Sequence, residues 1–145
     1  MAKSVKVGIV GCGTVGTGVA EILLTKGDEI EKKSGVRLEI SKIATRNWSK
    51  KRFFKVPENL RTTDLREVVQ NSDIVVELIG GVDTAKEVVE TALKMGKPVV
   101  TANKHLLAEF GYEIARLARE NDTAILFEGA VGGGIPLVKV LKETL

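Results

Sequence analysis

Two kinds of segment alternate along this 145-residue chain, and no other feature restricts its fold so tightly. Short runs rich in β-branched residues recur at positions 5–10, 38–44, 73–79, 98–102 and 124–127. Between them the apolar residues take helical spacing, as in Val15, Val19, Ile22 and Leu23, or in Ala85, Val88, Val89, Ala92 and Leu93. Nearly continuous apolar strands separated by helices need cover on both faces, which predicts a parallel sheet joined by right-handed crossovers. The pattern is therefore a doubly wound α/β fold in one domain.

Boundary signals agree with this reading. Asp64 with Glu67, and Thr84 with Glu87, have the spacing of helix capping boxes, and Gly96 followed by Pro98 closes the second of those helices. A further helix is expected over 106–119, ended by Asn121 and Asp122, while 46–63 is the least regular stretch. Positions 135–145 read as a helix with Val138, Leu141 and Leu145 on one face and no capping residue after it. That ending is expected of a cut between domains, with a natural terminus as the competing reading.

Composition narrows the class. Lys and Arg number 22 against 19 Asp and Glu, a net charge of +3, and 43% of residues are hydrophobic, so the chain can build a core and is not disordered. The one cysteine, Cys12, forbids an intrachain disulfide, and a domain of this size needs neither disulfide nor metal for its stability. Apolar runs are too short for a membrane span and no signal-peptide core is present, which predicts a soluble cytoplasmic protein with no membrane partner. Aromatics are only 4%, and no nucleic-acid-binding motif accompanies the basic character, so no nucleic-acid partner is expected.

Chemistry first enters directly after the first strand, where Gly11-Cys12-Gly13-Thr14-Val15-Gly16 opens a helix. In such a G-x-G-x-x-G turn Gly11 permits the tight bend, Gly13 admits a pyrophosphate to the backbone, and Gly16 lets helix and strand pack closely. Unpaired N–H groups at the helix start bind anions through hydrogen bonds and the positive end of the helix dipole. With strand, helix and second strand in the right order, the turn predicts a Rossmann-type dinucleotide-binding domain. Cys12 reads as a small residue in a tight place rather than a nucleophile, since no histidine is near it in sequence.

The second strand ends Ala44-Thr45-Arg46, where an acidic residue would accept hydrogen bonds from the adenosine ribose of NAD. Glu39 is internal to that strand and cannot serve. Over positions 42–55 lie six basic residues, Lys42, Arg46, Lys50, Lys51, Arg52 and Lys55, and no acidic one. Although such a run often marks only a solvated loop, Arg46 stands where a guanidinium can clamp a 2′-phosphate, with Lys50 or Lys51 adding charge. The expectation is that NADP(H) binds at least as well as NAD(H). Trp48 is expected to be partly buried against the domain rather than at the adenine.

Ligands of such sheets bind beyond the carboxyl ends of the strands. Gly80 and Gly81 follow the third run, and would let backbone lie close to ribose or nicotinamide. Thr101-Ala102-Asn103-Lys104 follows the fourth. Lys104 is the candidate for chemistry, able to hydrogen-bond a substrate oxygen or exchange a proton, with a solvated lysine in a first helical turn as the plain reading. His105, the one histidine, has no visible partner and is read as structural. The segment 128–136, rich in glycine, exposes carbonyls that suit a hard cation; a phosphate-facing or purely structural turn competes.

With these residues in view, the whole chain resembles the N-terminal, cofactor-binding part of homoserine dehydrogenase. The resemblance rests on Gly11 to Gly18, on Glu77-Leu78-Ile79-Gly80-Gly81, on Val100-Thr101-Ala102-Asn103-Lys104, and on Glu128-Gly129-Ala130-Val131-Gly132-Gly133-Gly134-Ile135-Pro136. It implies an NAD(P)-dependent oxidoreductase that interconverts L-homoserine and L-aspartate 4-semialdehyde, on the route to threonine, methionine and isoleucine. It implies further that Thr14 and Val15 join the glycines at the cofactor, that Arg46 is the cation near the adenosine ribose, and that Lys104 is an active-site lysine. Glu128, Val131, Gly133 and Ile135 would supply ligands, largely carbonyl oxygens, to a structural sodium ion. The resemblance also implies a second domain, carrying substrate-binding acids, another lysine and homodimer contacts, which is expected to lie outside residues 1–145. Residues 1–145 are thus expected to bind cofactor with little or no turnover of homoserine. Two other readings remain at this point: the nucleotide domain of a different semialdehyde or dipicolinate-pathway reductase, and a non-catalytic NAD(P)-binding regulatory module.

Overall fold

The computed structural model describes residues 3–127. Strand β1 (Lys3–Val10) lies inside a six-stranded sheet and is followed by helices α1 (Thr14–Thr25) and α2 (Gly27–Ser34) before β2 (Val36–Ala44). A long connection then leads to β3 (Arg61–Thr62), α3 (Leu65–Gln70) and β4 (Ile74–Glu77). The chain continues through α4 (Asp83–Lys94), β5 (Val99–Thr101), α5 (Lys104–Glu120) and β6 (Ile125–Phe127). Spatial order is β3-β2-β1-β4-β5-β6, and every pairing is parallel. The expected doubly wound sheet is present.

Its two faces are covered by different helices, as the alternation of side chains along each strand requires. Val5, Val7 and Ile9 of β1, with Ile74 and Val76 of β4, pack on Val19, Ala20 and Leu23 of α1 and Ile30 of α2. Val10, Val75 and Val99 face the other way, onto Val68 and Val69 of α3, Val88 and Leu93 of α4, and Leu106 and Ile114 of α5. At roughly 1.5–3 kcal/mol for each large apolar side chain, these two layers are the main stabilising term.

Three features differ from the sequence expectation. A sixth strand, the two-residue β3, lies in the stretch expected to be irregular; it pairs only Arg61 and Thr62 with Ile43 and Ala44, too briefly to leave a period. Helix α2 was not anticipated. Its short apolar content, with Ile30 as its buried hydrophobic residue, hides it, although Asp28 and Glu29 in its first turn and Lys32 and Lys33 in its last suit the helix dipole. The predicted cap at Thr84 is displaced: α4 starts at Asp83, with Val82 before it and no side-chain cap. By contrast Asp64 does cap α3, accepting from the Arg66 N–H at 3.0 Å. Gly96 (φ 75°) ends α4, with its N–H donating to the Leu93 carbonyl and that of Lys97 to Ala92. Among the described residues no helix is long and apolar enough to cross a membrane.

Strand order reverses between β1 and β4. The connection from β1 runs toward β2 and that from β4 toward β5, so the loops beyond these strands diverge and open a crevice at their carboxyl ends.

Candidate functional site

That crevice is a cleft of about 590 Å³, bounded by Gly11 and Gly13 after β1, Arg46 and Lys50 after β2, and Ile79 and Gly80 after β4. Its floor is the glycine turn. Gly11 has φ 103°, and a Cβ there would stand 2.8 Å from the Leu78 carbonyl, so both conformation and space demand glycine. A Cβ on Gly16 would stand 2.2 Å from the Gly11 carbonyl oxygen, which is the close helix–strand approach expected of that position. Above Gly13 nothing lies within 4 Å of where a Cβ would be. The backbone at Gly13 is therefore bare and open to the cleft.

Helix α1 begins at that opening with Gly13 as its N-cap, no side chain capping it and no acidic residue in its first turn. The amides of Thr14, Val15 and Gly16 precede the first intrahelical donor, the Thr17 N–H that bonds to the Gly13 carbonyl at 2.9 Å, so they remain available to an anion along with the positive end of the helix dipole. Thr14 is exposed, whereas Val15 packs its side chain against the core and so has only its backbone to offer. Cys12 is buried with its Sγ 3.6 Å from Thr17 Oγ1, as the structural reading expects.

The run of cations divides sharply. Arg46 and Lys50 line the cleft and are exposed. Lys42 turns away to donate to the Asn59 carbonyl at 2.8 Å and approaches Glu67 at 3.9 Å. Lys51 and Lys55 are exposed and do not line the cleft. Trp48 is half-buried against the core, its Nε1 donating to the Thr62 carbonyl at 2.9 Å, as expected of a structural tryptophan.

Beside the cleft, beyond β4 and β5, the sheet edge is built differently, around a residue that the sequence analysis named in a motif but gave no role of its own. Glu77 closes β4 fully buried. Its Oε1 accepts from Thr101 Oγ1 at 2.6 Å and its Oε2 from the Ile79 N–H at 2.8 Å. Thr101 Oγ1 in turn accepts from the Asn103 N–H at 3.0 Å. Asn103 Nδ2 donates to the Gly81 carbonyl at 2.5 Å, and its Oδ1 accepts from the Leu106 N–H at 2.9 Å, capping α5. Burial pushes the Glu77 carboxyl above its usual pKa, against the opposing hydrogen bonds from Thr101, Ile79 and Asn103. The signal available in the sequence was an acid at the end of an otherwise apolar strand, since such a residue has to be satisfied internally.

Of the expected site residues, Gly11, Gly13, Arg46 and Gly80 converge on the cleft, with Gly16 beneath the turn. Lys104 does not line it; the residue is exposed in the first turn of α5, next to the Asn103 cap. His105 is exposed beside it. Glu128, Val131, Gly133 and Ile135, and the helix expected over 135–145, lie outside the described residues. Among the described residues no group of three or more His, Cys, Asp or Glu side chains could hold a metal ion.

Residues 11–128 match the family model described as homoserine dehydrogenase, NAD binding domain. The chain belongs to this family. It is 39% identical over 145 residues to the homoserine dehydrogenase of Bacillus subtilis, covering 99% of the chain and 34% of that relative. The solved homoserine dehydrogenase of Thiobacillus denitrificans superposes with a TM-score of 0.79 at 41% identity, over 97% of this chain and 33% of that one. A hyperthermophilic archaeal homoserine dehydrogenase mutant, solved in complex with NADPH, gives a TM-score of 0.66 at 30% identity, over 98% of this chain and 49% of that one. The chain thus spans about a third of the length of the curated homoserine dehydrogenases it matches. What it covers is their NAD-binding domain.

Proposed function

We propose that this chain is the coenzyme-holding part of a homoserine dehydrogenase, and that its cleft takes NADP(H) at least as well as NAD(H). The observation that carries the reading is the junction at Gly13: an uncapped helix start, with no acid in its first turn, opening on bare space. A diphosphate there satisfies amides that the fold leaves without partners, and Gly11, Thr14, Val15 and Gly16 join in shaping that seat. Arg46 and Lys50, on the wall where the adenosine ribose would lie, favour a 2′-phosphate, because a guanidinium offers it paired, charge-assisted hydrogen bonds. Gly80 leaves the opposite wall low for the nicotinamide half.

A bound nicotinamide coenzyme would supply the hydride donor or acceptor for exchange between homoserine and aspartate 4-semialdehyde. Lys104 is assigned the substrate end: its Nζ, at the first turn of α5, would hydrogen-bond the substrate oxygen and hold or release its proton. The remaining substrate groups, the homodimer contacts and a sodium ion at Glu128, Val131, Gly133 and Ile135 belong to the same reading of the full-length, cytoplasmic enzyme, and rest on the family resemblance alone.

Separate titrations with NADPH and NADH test the assignment. Arg46→Asp should weaken NADPH by about ten- to a hundredfold, roughly 1.4–2.7 kcal/mol, and NADH by much less. Equal losses for the two coenzymes, or no binding of either to the unaltered protein, would overturn it. Homoserine oxidation should require the full-length chain; turnover by residues 1–145 alone would refute the division of labour.

A further inference from the structure

One basic residue of the loop after β2 is used in a way its neighbours are not. The Arg52 guanidinium spends its donors on main chain: Nε donates to the Cys12 carbonyl at 2.8 Å, Nη1 to Lys50 at 2.9 Å and Nη2 to Asn47 at 3.0 Å. The first acceptor is inside the glycine turn, 40 residues away in sequence; the other two are in the loop carrying Arg46 and Lys50. Arg52 itself does not line the cleft. Its Cζ lies 4.8 Å from the centroid of the Trp48 ring, which Arg61 also overlies at 5.2 Å. Trp48 Nε1 and Arg61 Nε are bonded to the carbonyls of Thr62 and Val56.

Backbone bonds hold the root of the loop, the Gly11 N–H donating to the Ala44 carbonyl at 2.8 Å and the Thr45 N–H to the Thr62 carbonyl at 3.2 Å. From there to Glu58 the chain has no helix or strand, so beyond Thr45 the placement of Arg46 and Lys50 depends on this side-chain framework. We infer that Arg52 is a positioning residue for coenzyme specificity: without touching the coenzyme, it fixes the loop that distinguishes a 2′-phosphate from a 2′-hydroxyl. The inference rests on the proposed reading that Arg46 and Lys50 meet the 2′-phosphate.

The selectivity of the effect follows from entropy. A pinned loop presents its cations already ordered, whereas a released loop must be ordered by the ligand, and only a 2′-phosphate engages those cations strongly enough to do so. NADH is held by the glycine turn, whose own geometry comes from Gly11 and Gly16, and it loses little. Lysine at position 52 keeps the charge but places one ammonium where three carbonyls diverge, so it separates positioning from simple electrostatic attraction.

The test uses the full-length chain and measures Kd for NADPH and NADH in Arg46→Ala, Arg52→Lys and their double variant. Arg52→Lys should weaken NADPH about five- to tenfold and leave NADH within about twofold. In the double variant the loss of NADPH preference should fall short of the product of the two single losses, because both changes act on one loop, with only Lys50 left for Arg52 to position. Trp48→Phe, which deletes the bond to Thr62, should produce the same selective loss and serves if Arg52→Lys does not fold. If Arg46→Ala abolishes the preference while Arg52→Lys and Trp48→Phe weaken both coenzymes equally, leave both unchanged or add to Arg46→Ala, the positioning role is wrong and the coenzyme reading stands. If Arg46→Ala leaves the preference intact, the coenzyme reading falls and takes this inference with it.

Discussion

Helices α1 and α5 both start at the carboxyl edge of the same sheet, α1 beside the reversal point after β1 and α5 one strand beyond it after β5, yet their first turns are finished in opposite ways. At α1 the cap is a glycine with no side chain to offer, and the space above it is open. At α5 the Asn103 side chain already accepts from the Leu106 N–H, and a buried chain through Thr101 to Glu77 anchors it from below. A helix start binds a ligand anion only where the protein has not supplied its own acceptor. The glycine-turn end of this sheet edge is therefore made of backbone and open space, and the end beyond β4 and β5 of buried side chains holding loops in position.

Each end has its own way of failing. The largest effect is expected from Glu77→Ala, which strands the Thr101 hydroxyl and the Ile79 N–H inside the protein at about 1–3 kcal/mol for each. Chemical denaturation should show the loss, and a stability unchanged from the parent protein would contradict the buried network. The same carboxyl gives a pH signature with a definite sign. Its pKa is raised in the fold, so the folded chain holds this proton more tightly than the unfolded chain does. Ionised Glu77 thus costs stability above the raised pKa, and that cost disappears as pH falls through the ordinary carboxylate range. Thermal melts from neutral pH down to below the ordinary glutamate pKa of about 4.3 should show the parent protein gaining on Glu77→Gln. A constant difference between the two would count against it.

Gly13→Asp attacks the other end and should dissociate binding from stability. Nothing obstructs a side chain there, so the fold should persist, but the new carboxylate caps α1 and occupies the anion seat. Affinity for both NADPH and NADH should drop about a hundredfold, roughly 2.7 kcal/mol, with the melting temperature unchanged or higher. Retained affinity would mean that the diphosphate sits elsewhere. The smallest effect is Asn103→Ala, which removes the cap of α5 and the tether to Gly81 for about 1 kcal/mol. Its mark is local: hydrogen exchange should quicken at the start of α5 and around Gly81, while the glycine turn keeps its protection.

The sheet was legible because buried strands and two-faced helices leave periods that survive in one dimension. The glycine turn was legible because each of its three glycines answers a separate steric demand. Thr84 misled because capping-box spacing also arises inside a helix, and which residue comes first depends on where the preceding Gly80-Gly81 turn releases the chain. The role of Glu77 went unread because an acid in an apolar strand acquires its distant partner, Thr101, only once β4 and β5 lie side by side.

The six cations between 42 and 55 show where the boundary falls. Their presence, the absence of an acid among them, and the helix start that leaves amides unpaired are properties of residue order, since local sterics and the chemistry of each side chain determine them. Which cation faces the cleft, as Arg46 does, and which is consumed in bracing it, as Arg52 is, was decided only by the tertiary structure. The reason is physical: a guanidinium's role depends on which acceptors surround it, and here one of them, the Cys12 carbonyl, comes from a turn 40 residues away.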